Sequence, residues 1–156
     1  MNLRAVLSDM VNPAQQILGI ARTPQSDVIM LAIGLQESRF THRRQIGGPA
    51  VGYWQFEKGG GVRGVLTHHA SAARAAKLCA AQGVAASETS VYVALPLDDV
   101  LAAGFARLLL LTDPKPLPAV GDEQGAWQYY LRNWRPGKPH AGTWPALYRQ
   151  AMEAVS

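Results

Sequence analysis

The segment 26–39 constrains the fold more than any other part of this chain. Val28, Leu31, Ala32 and Leu35 fall at i, i+3, i+4 and i+7, the apolar stripe of an α-helix. Ile29, Met30 and Ile33 cover most of the remaining circumference. A helix that is apolar nearly all round must be buried on every side, so other elements must wrap it. The spacing predicts a central helix from Ser26, as its cap, to Arg39. Its eight-residue apolar run, Val28 to Leu35, is far short of the about 20 residues needed to span a bilayer, so no transmembrane segment is expected.

The rest of the chain reads as helices around that one. Leu3 to Met10 suggests a short helix, and Asn12-Pro13 a second start, running to about Ala21 and stopped by Thr23-Pro24. Ala70 to Gln82 is Ala-rich and closed by Gly83, and Ser87 caps a short helix through Val93. Leu97 to Leu111 presents Leu97, Val100, Leu101, Gly104, Phe105, Leu108 and Leu111 as a core face, with Asp98 and Asp99 in its first turn. Pro114, Pro116 and Pro118 form a stiff connector before helices at Asp122 to Trp134 and Trp144 to Val155. No internal repeat and no second composition appear over the 156 residues, so the expected fold is one mainly α domain, 1–156. Cys79 has no partner for a disulfide and reads as a small buried hydrophobe. The N-terminus lacks the basic and apolar regions of a secretory signal.

Between Thr41 and Gly64 lies a Gly-rich, aromatic stretch expected to be a long functional loop. If Tyr53 to Glu57 is extended, Tyr53, Gln55 and Glu57 share one face and Trp54 and Phe56 the other. The large apolar pair would then anchor the core and the polar set would face a ligand. Gly59-Gly60-Gly61 lacks the Lys and Ser or Thr of a nucleotide-binding loop. His68-His69 has no spaced third ligand, so neither a metal nor a cofactor is expected. The net charge of +4 suits anionic surroundings, but no nucleic-acid motif accompanies it.

Glu37 is the candidate catalytic group. It continues the Ile29–Ile33 stripe at the helix end, where a side chain can emerge from the core into a cleft. Apolar surroundings raise a carboxyl pKa, and a carboxylic acid still protonated near neutrality can protonate a leaving oxygen. The competing reading is a structural carboxylate paired with a neighbouring Arg.

Glu37-Ser38, followed two residues later by Phe40, resembles the Glu-Ser signature of the lytic transglycosylase and goose-type lysozyme superfamily. Gly52-Tyr53-Trp54-Gln55 resembles that family's downstream Gly-x-x-Gln motif, and residues 49–61 are most like its bacteriophage members. The aromatic segment 127–134 loosely resembles a third element, although its Tyr and Asn are not adjacent. The resemblance covers about residues 26–66 well and 122–139 weakly. It implies a lysozyme-like domain cleaving the β-1,4 bond between N-acetylmuramic acid and N-acetylglucosamine, with Glu37 as general acid. It implies substrate contacts from Ser38 and Tyr53, a Gln55 that hydrogen-bonds substrate or orders the cleft loop, and a Tyr at 129 or 130 orienting Glu37 or the sugar's acetamido group. Gln55 is expected to line the same cleft as Glu37. Glu57 is the second acid: a base activating water if it reaches that cleft, otherwise a loop carboxylate paired with Lys58 or Arg63. Partners would be peptidoglycan glycan strands and, for a phage protein, virion components, with the enzyme monomeric. It would be made in the host cytoplasm to act on the periplasmic wall, or be carried in a virion. A virion structural or glycan-binding module with the same fold and little activity is the alternative.

Overall fold

The computed structural model describes residues 1–156. The chain is mainly helical, at 65% helix, with no strand, and its only β-type pairing is two isolated bridges, Arg44 to Val51 and Val51 to Phe56. No helix is long and apolar enough to cross a membrane.

Helix α1 (Leu3–Val6) continues through a wide turn (Leu7–Val11) into α2 (Asn12–Leu18). Asn12 was expected to start a new helix, but its backbone is already helical at φ −65°, and its N–H donates five residues back, to the Leu7 carbonyl. That one-residue widening fits a Pro at 13, whose ring would clash with the carbonyl four residues earlier in a regular helix. Gly19, in the left-handed region at φ 67°, ends α2 before the expected Ala21.

Helix α3 (Pro24–Ser38) starts earlier than the sequence suggested. Thr23, not Ser26, is the cap: Thr23 Oγ1 accepts from the Ser26 N–H at 3.1 Å and Ser26 Oγ accepts from the Thr23 N–H at 3.2 Å. Pro24 therefore opens this helix, at a position whose N–H needs no partner, rather than only closing the one before. Every residue of α3 from Ser26 to Leu35 is buried.

The Gly-rich stretch is not all loop. Its end forms a second wide turn (Lys58–Val62) leading into α4 (Arg63–Thr67). Helices α5 (Ala72–Ala81) and α6 (Glu88–Ala94) follow, then α7 (Asp99–Leu111), α8 (Glu123–Trp134) and α9 (Trp144–Val155). Asp98 caps α7 by accepting from the Leu101 N–H at 2.9 Å, so Leu97 falls outside the helix and is 79% exposed instead of in the core. The sequence marked one face of α7 as buried, yet all residues from Leu101 to Leu110 are. The molecule thus has two central helices, α3 and α7.

Forty-one buried residues make one apolar cluster. Helix α3 packs most extensively on α9. Two glycines inside the central helices let neighbours come close. A Cβ on Gly34 would lie 2.1 Å from the Phe40 ring, and one on Gly104 would lie 2.2 Å from Leu78 Cδ2. Phe40 folds back under its own helix because both Arg39 and Phe40 adopt the left-handed region, at φ 56° and 53°.

Candidate functional site

Glu37 occupies the last turn of α3, half-buried. The Tyr130 hydroxyl on α8 donates to its Oε1 at 2.7 Å. Tyr130 is itself fixed between aromatic rings: it stacks on Trp144 at 5.5 Å and 10°, with Trp127 at 5.4 Å and Trp134 at 6.2 Å. Burial pushes the Glu37 carboxyl up from 4.5 to about 7, a rise that the Tyr130 hydrogen bond partly offsets. Burial, then the charge of Glu37 and the hydrogen bond to it, push the Tyr130 phenol upward, so it stays a donor. Glu37 enters no ion pair; none of the four in the chain includes it. The neighbouring Arg39 turns instead to the Leu35 and Gln36 carbonyls at the end of α3. The reading of Glu37 as a salt-bridged terminus is therefore not realised.

The residues on either side of Glu37 tie it to its surroundings. Gln36 Nε2 donates to the His140 carbonyl and its Oε1 accepts from the Thr143 hydroxyl, both at 3.0 Å, so the segment 135–143 is fastened beside the acid. Ser38 is 5% exposed. Its hydroxyl donates to the Tyr53 carbonyl at 2.6 Å and accepts from the Phe40 N–H at 3.1 Å. It holds the 52–55 turn to the helix end and has little surface left for the substrate contact expected of it.

That turn is the second component. Val51 and Phe56 exchange backbone hydrogen bonds at 2.9 and 2.8 Å, and Gly52 to Gln55 close the loop between them. Gly52 and Gln55 both have positive φ, 77° and 56°, so the segment is not extended and the expected alternation fails. Tyr53 consequently turns inward with Trp54 and Phe56. It is 2% exposed, edge-on to Phe40 at 5.7 Å and beneath the Arg43 guanidinium at 4.5 Å, with no face toward a ligand. Two indoles pin the turn: Trp54 Nε1 donates to the Met30 carbonyl, and Trp134 Nε1 donates to the Trp54 carbonyl, each at 2.9 Å. Gln55 folds its own amide onto the Gly52 carbonyl at 2.8 Å.

Of the two tyrosines proposed as orienting groups, only Tyr130 reaches Glu37. Tyr129, one residue earlier, points about 100° away around α8. Its hydroxyl sits 3.1 Å from the Leu110 carbonyl and 3.0 Å from that of Lys115, and its ring lies under Arg132 at 4.9 Å.

Gln55 and Glu57 line a groove of about 490 Å³ that also takes in Gly59, Gly60, Trp134 and Arg135. Glu37 is not part of its lining. The groove thus brings together Gln55 and Glu57 but not the acid expected beside them. Tyr130 meets the acid and Trp134, one helical turn on, lines the groove. Glu57 is exposed and in no ion pair: Arg63 pairs with Glu88 at 2.9 Å, and Lys58 pairs with no carboxylate. Sequence reasoning passed over Trp134, Arg135 and the bare glycines as site residues. The Trp134 signal was available in its four-residue spacing from Tyr130.

Comparison of the chain with models of protein families, with curated proteins and with solved structures finds no match in any of the three. The class that the chain itself defines is an α-helical domain with a half-buried acid at the end of a central helix.

Proposed function

We propose that the protein is a lysozyme-like enzyme that cleaves the β-1,4 bond between N-acetylmuramic acid and N-acetylglucosamine in peptidoglycan. The observation that carries this reading is Glu37: unpaired, half-buried, raised to about 7, and held by Tyr130 at 2.7 Å. Such a carboxyl is protonated over much of the range below neutrality and can give its proton away. In the proposed reaction the Glu37 proton goes to the bridging oxygen as the bond from the muramyl C1 to that oxygen breaks. The muramyl C6 hydroxyl then bonds to C1 and returns its proton to Glu37. No water is consumed and a 1,6-anhydro end results. Glu57 lines the groove and Glu37 does not, which supports this one-carboxylate scheme over a base-activated water.

One observation favours the second reading, a glycan-binding virion module with the same fold and no turnover: Gln55 lines the 490 Å³ groove and Glu37 does not. Zymography on purified cell wall decides between them. Clearing by the wild type and none by Glu37→Gln is the expected result. Clearing by neither, with the wall still bound, would replace the enzyme by the binding module. Mass spectrometry of the digest then reads the mechanism, since a water-derived reducing end in place of an anhydro end would overturn the one-carboxylate scheme.

A further inference from the structure

Gln36 stands immediately before the acid on α3, and its side-chain amide is used at both ends. A carbonyl can only accept, so the end that meets the His140 carbonyl at 3.0 Å is the NH2 group, and the amide oxygen is left to face the Thr143 hydroxyl at 3.0 Å. The His140 carbonyl also takes the Thr143 N–H at 3.2 Å. With two N–H groups already on that carbonyl, the single hydroxyl proton of Thr143 serves Gln36 better, although the His140 oxygen lies at 2.9 Å. Little else holds this stretch. Residues 137–143 are exposed throughout, so apolar burial does not anchor them. Apart from the helices it joins, the segment 136–143 makes hydrogen bonds to Gln36 alone.

The stretch runs directly into Trp144, the first residue of α9. Trp144 is buried, and Tyr130 stacks on it at 5.5 Å and 10°. Its Nε1 donates to the Glu123 carbonyl at 3.0 Å, which ties the indole to the start of α8, while Gln36 ties the backbone that enters it. Tyr130 in turn donates to Glu37 at 2.7 Å. The contacts close a ring: Gln36, the 140–143 turn, Trp144, Tyr130, Glu37, and back to Gln36 through one peptide bond. A hydrogen bond weakens steeply as its angle is lost, so a phenol that must stay on a carboxylate needs its ring held from the side.

We propose that Gln36 is a positioning residue for Glu37: by fastening 140–143 to the end of α3 it keeps Trp144 stacked on Tyr130, and so keeps the Tyr130 hydroxyl on the acid. That this serves bond cleavage rests on the peptidoglycan reading above; the ring itself does not. Other ionisable groups at this end are engaged elsewhere. On α3, Arg39 turns to the Leu35 and Gln36 carbonyls, and on α8, Arg132 is taken by Asp113. On α9, the Tyr148 hydroxyl accepts from the Gly121 N–H. Within the segment, His140 bonds Gln36 through its carbonyl, and Arg135 and Lys138 join no ion pair. Burial and the Tyr130 bond are accordingly the two influences on the acidity of Glu37.

The test follows the labelled Glu37 carboxyl by carbon NMR through a pH titration without substrate. Gln36→Met keeps the length of the side chain and removes both bonds, and Thr143→Val removes one of them from the other side. Gln36→Met is expected to raise the proton affinity of Glu37 at least about threefold, a fraction of what a charge-assisted hydrogen bond is worth. Thr143→Val should move it the same way by less. In the Tyr130→Phe background Gln36→Met should add nothing, because the contact it acts through is gone. An unmoved titration, a shift to lower pH, or the same shift with and without the phenol would overturn the proposal. On cell wall, Gln36→Met should carry the falling limb of the pH profile upward with the titration. Absence of clearing by the wild type would sink the cleavage reading and leave the positioning role standing. Clearing by a wild type whose Glu37 titrates identically in Gln36→Met would do the reverse.

Discussion

At the scale of single residues, the proposed role of Glu37 would tie activity and stability to the same titration. Its carboxyl holds a proton up to about 7 in the folded chain, against 4.5 as the ordinary value. The folded state therefore binds more protons than the unfolded one between those two values, and stability falls as pH rises through that window. At about 1.4 kcal/mol per pH unit the ceiling is about 3 kcal/mol, and the open side of the half-buried carboxyl lowers it to about 1–2 kcal/mol. Glu37→Gln keeps the shape without the charge. It should be more stable than the wild type above pH 7 and no more stable below pH 4.5, which chemical denaturation at several pH values measures. The same substitution should cut cleavage by about 10²–10⁴-fold, the usual worth of a general acid, while glycan binding persists. Wild-type cleavage should fall as pH rises through about 7, because the protonated acid is the working form. Tyr130→Phe removes the hydrogen bond that lowers the Glu37 pKa. The falling limb of the pH profile should then move to higher pH, even as the loss of orientation reduces kcat. An unchanged limb would mean that the phenol does not hold the acid.

Among the elements, α3 shows what a sequence can and cannot carry. Its burial was legible because a continuous apolar circumference is a local property of consecutive residues. Its cap was misplaced by three residues because Thr23 and Ser26 cap each other, and either reads alone as a start. The 52–55 turn was misread because two positive φ values, one at a non-glycine residue, break an alternation that composition alone supports. For Glu37, the position was legible but the partner was not, since Tyr130 stands 93 residues away and only the packing of α8 brings it there. Gly34 gives this scale its prediction. Helix propensity favours Ala over Gly by about 1 kcal/mol. A Cβ at 34, however, would enter the Phe40 ring at 2.1 Å, and overpacking of this kind costs about 1–3 kcal/mol. Phe40 packs edge-on against Tyr53 and Trp54, so displacing it disturbs the turn that carries Gln55. Gly34→Ala should therefore lower Tm, measured by thermal unfolding, and reduce cleavage.

Over the whole molecule the charge is uneven around the end of α3. The first basic set, Arg39, His42, Arg43 and Arg44, follows directly after Glu37 in the chain and is exposed. The second, Arg132, Arg135, Lys138 and His140, is brought to the same end by the hydrogen bonds from Gln36 and Thr143 that fasten 135–143 beside the acid. Acid partners cancel part of this: Asp99 takes Arg43 and Asp113 takes Arg132. Arg39, Arg44, Arg135 and Lys138 stay out of every ion pair, and Glu37 is itself unpaired, so this end of α3 carries free positive charge, as do Arg4, Lys58, Arg74, Lys77, Arg107, Lys115 and Arg149 elsewhere. Neither set formed a motif in the sequence, because about 90 residues separate them and only the fold joins them. Free positive charge attracts an anionic polymer over distances comparable to the Debye length, about 10 Å at 0.1 M salt, and that attraction is screened as salt rises. A short neutral glycan has no such long-range term. Raising salt from 0.05 to about 0.5 M, which shortens the Debye length to about 4 Å, should therefore weaken retention on cell wall and slow its cleavage several-fold. Cleavage of a neutral chitooligosaccharide should change little over the same range. Replacing Arg44 and Lys138 together by Gln, neither of which bonds to Glu37, should reduce the salt dependence on cell wall. Equal salt sensitivity for the two substrates would mean that salt acts on the site itself rather than on the approach to it.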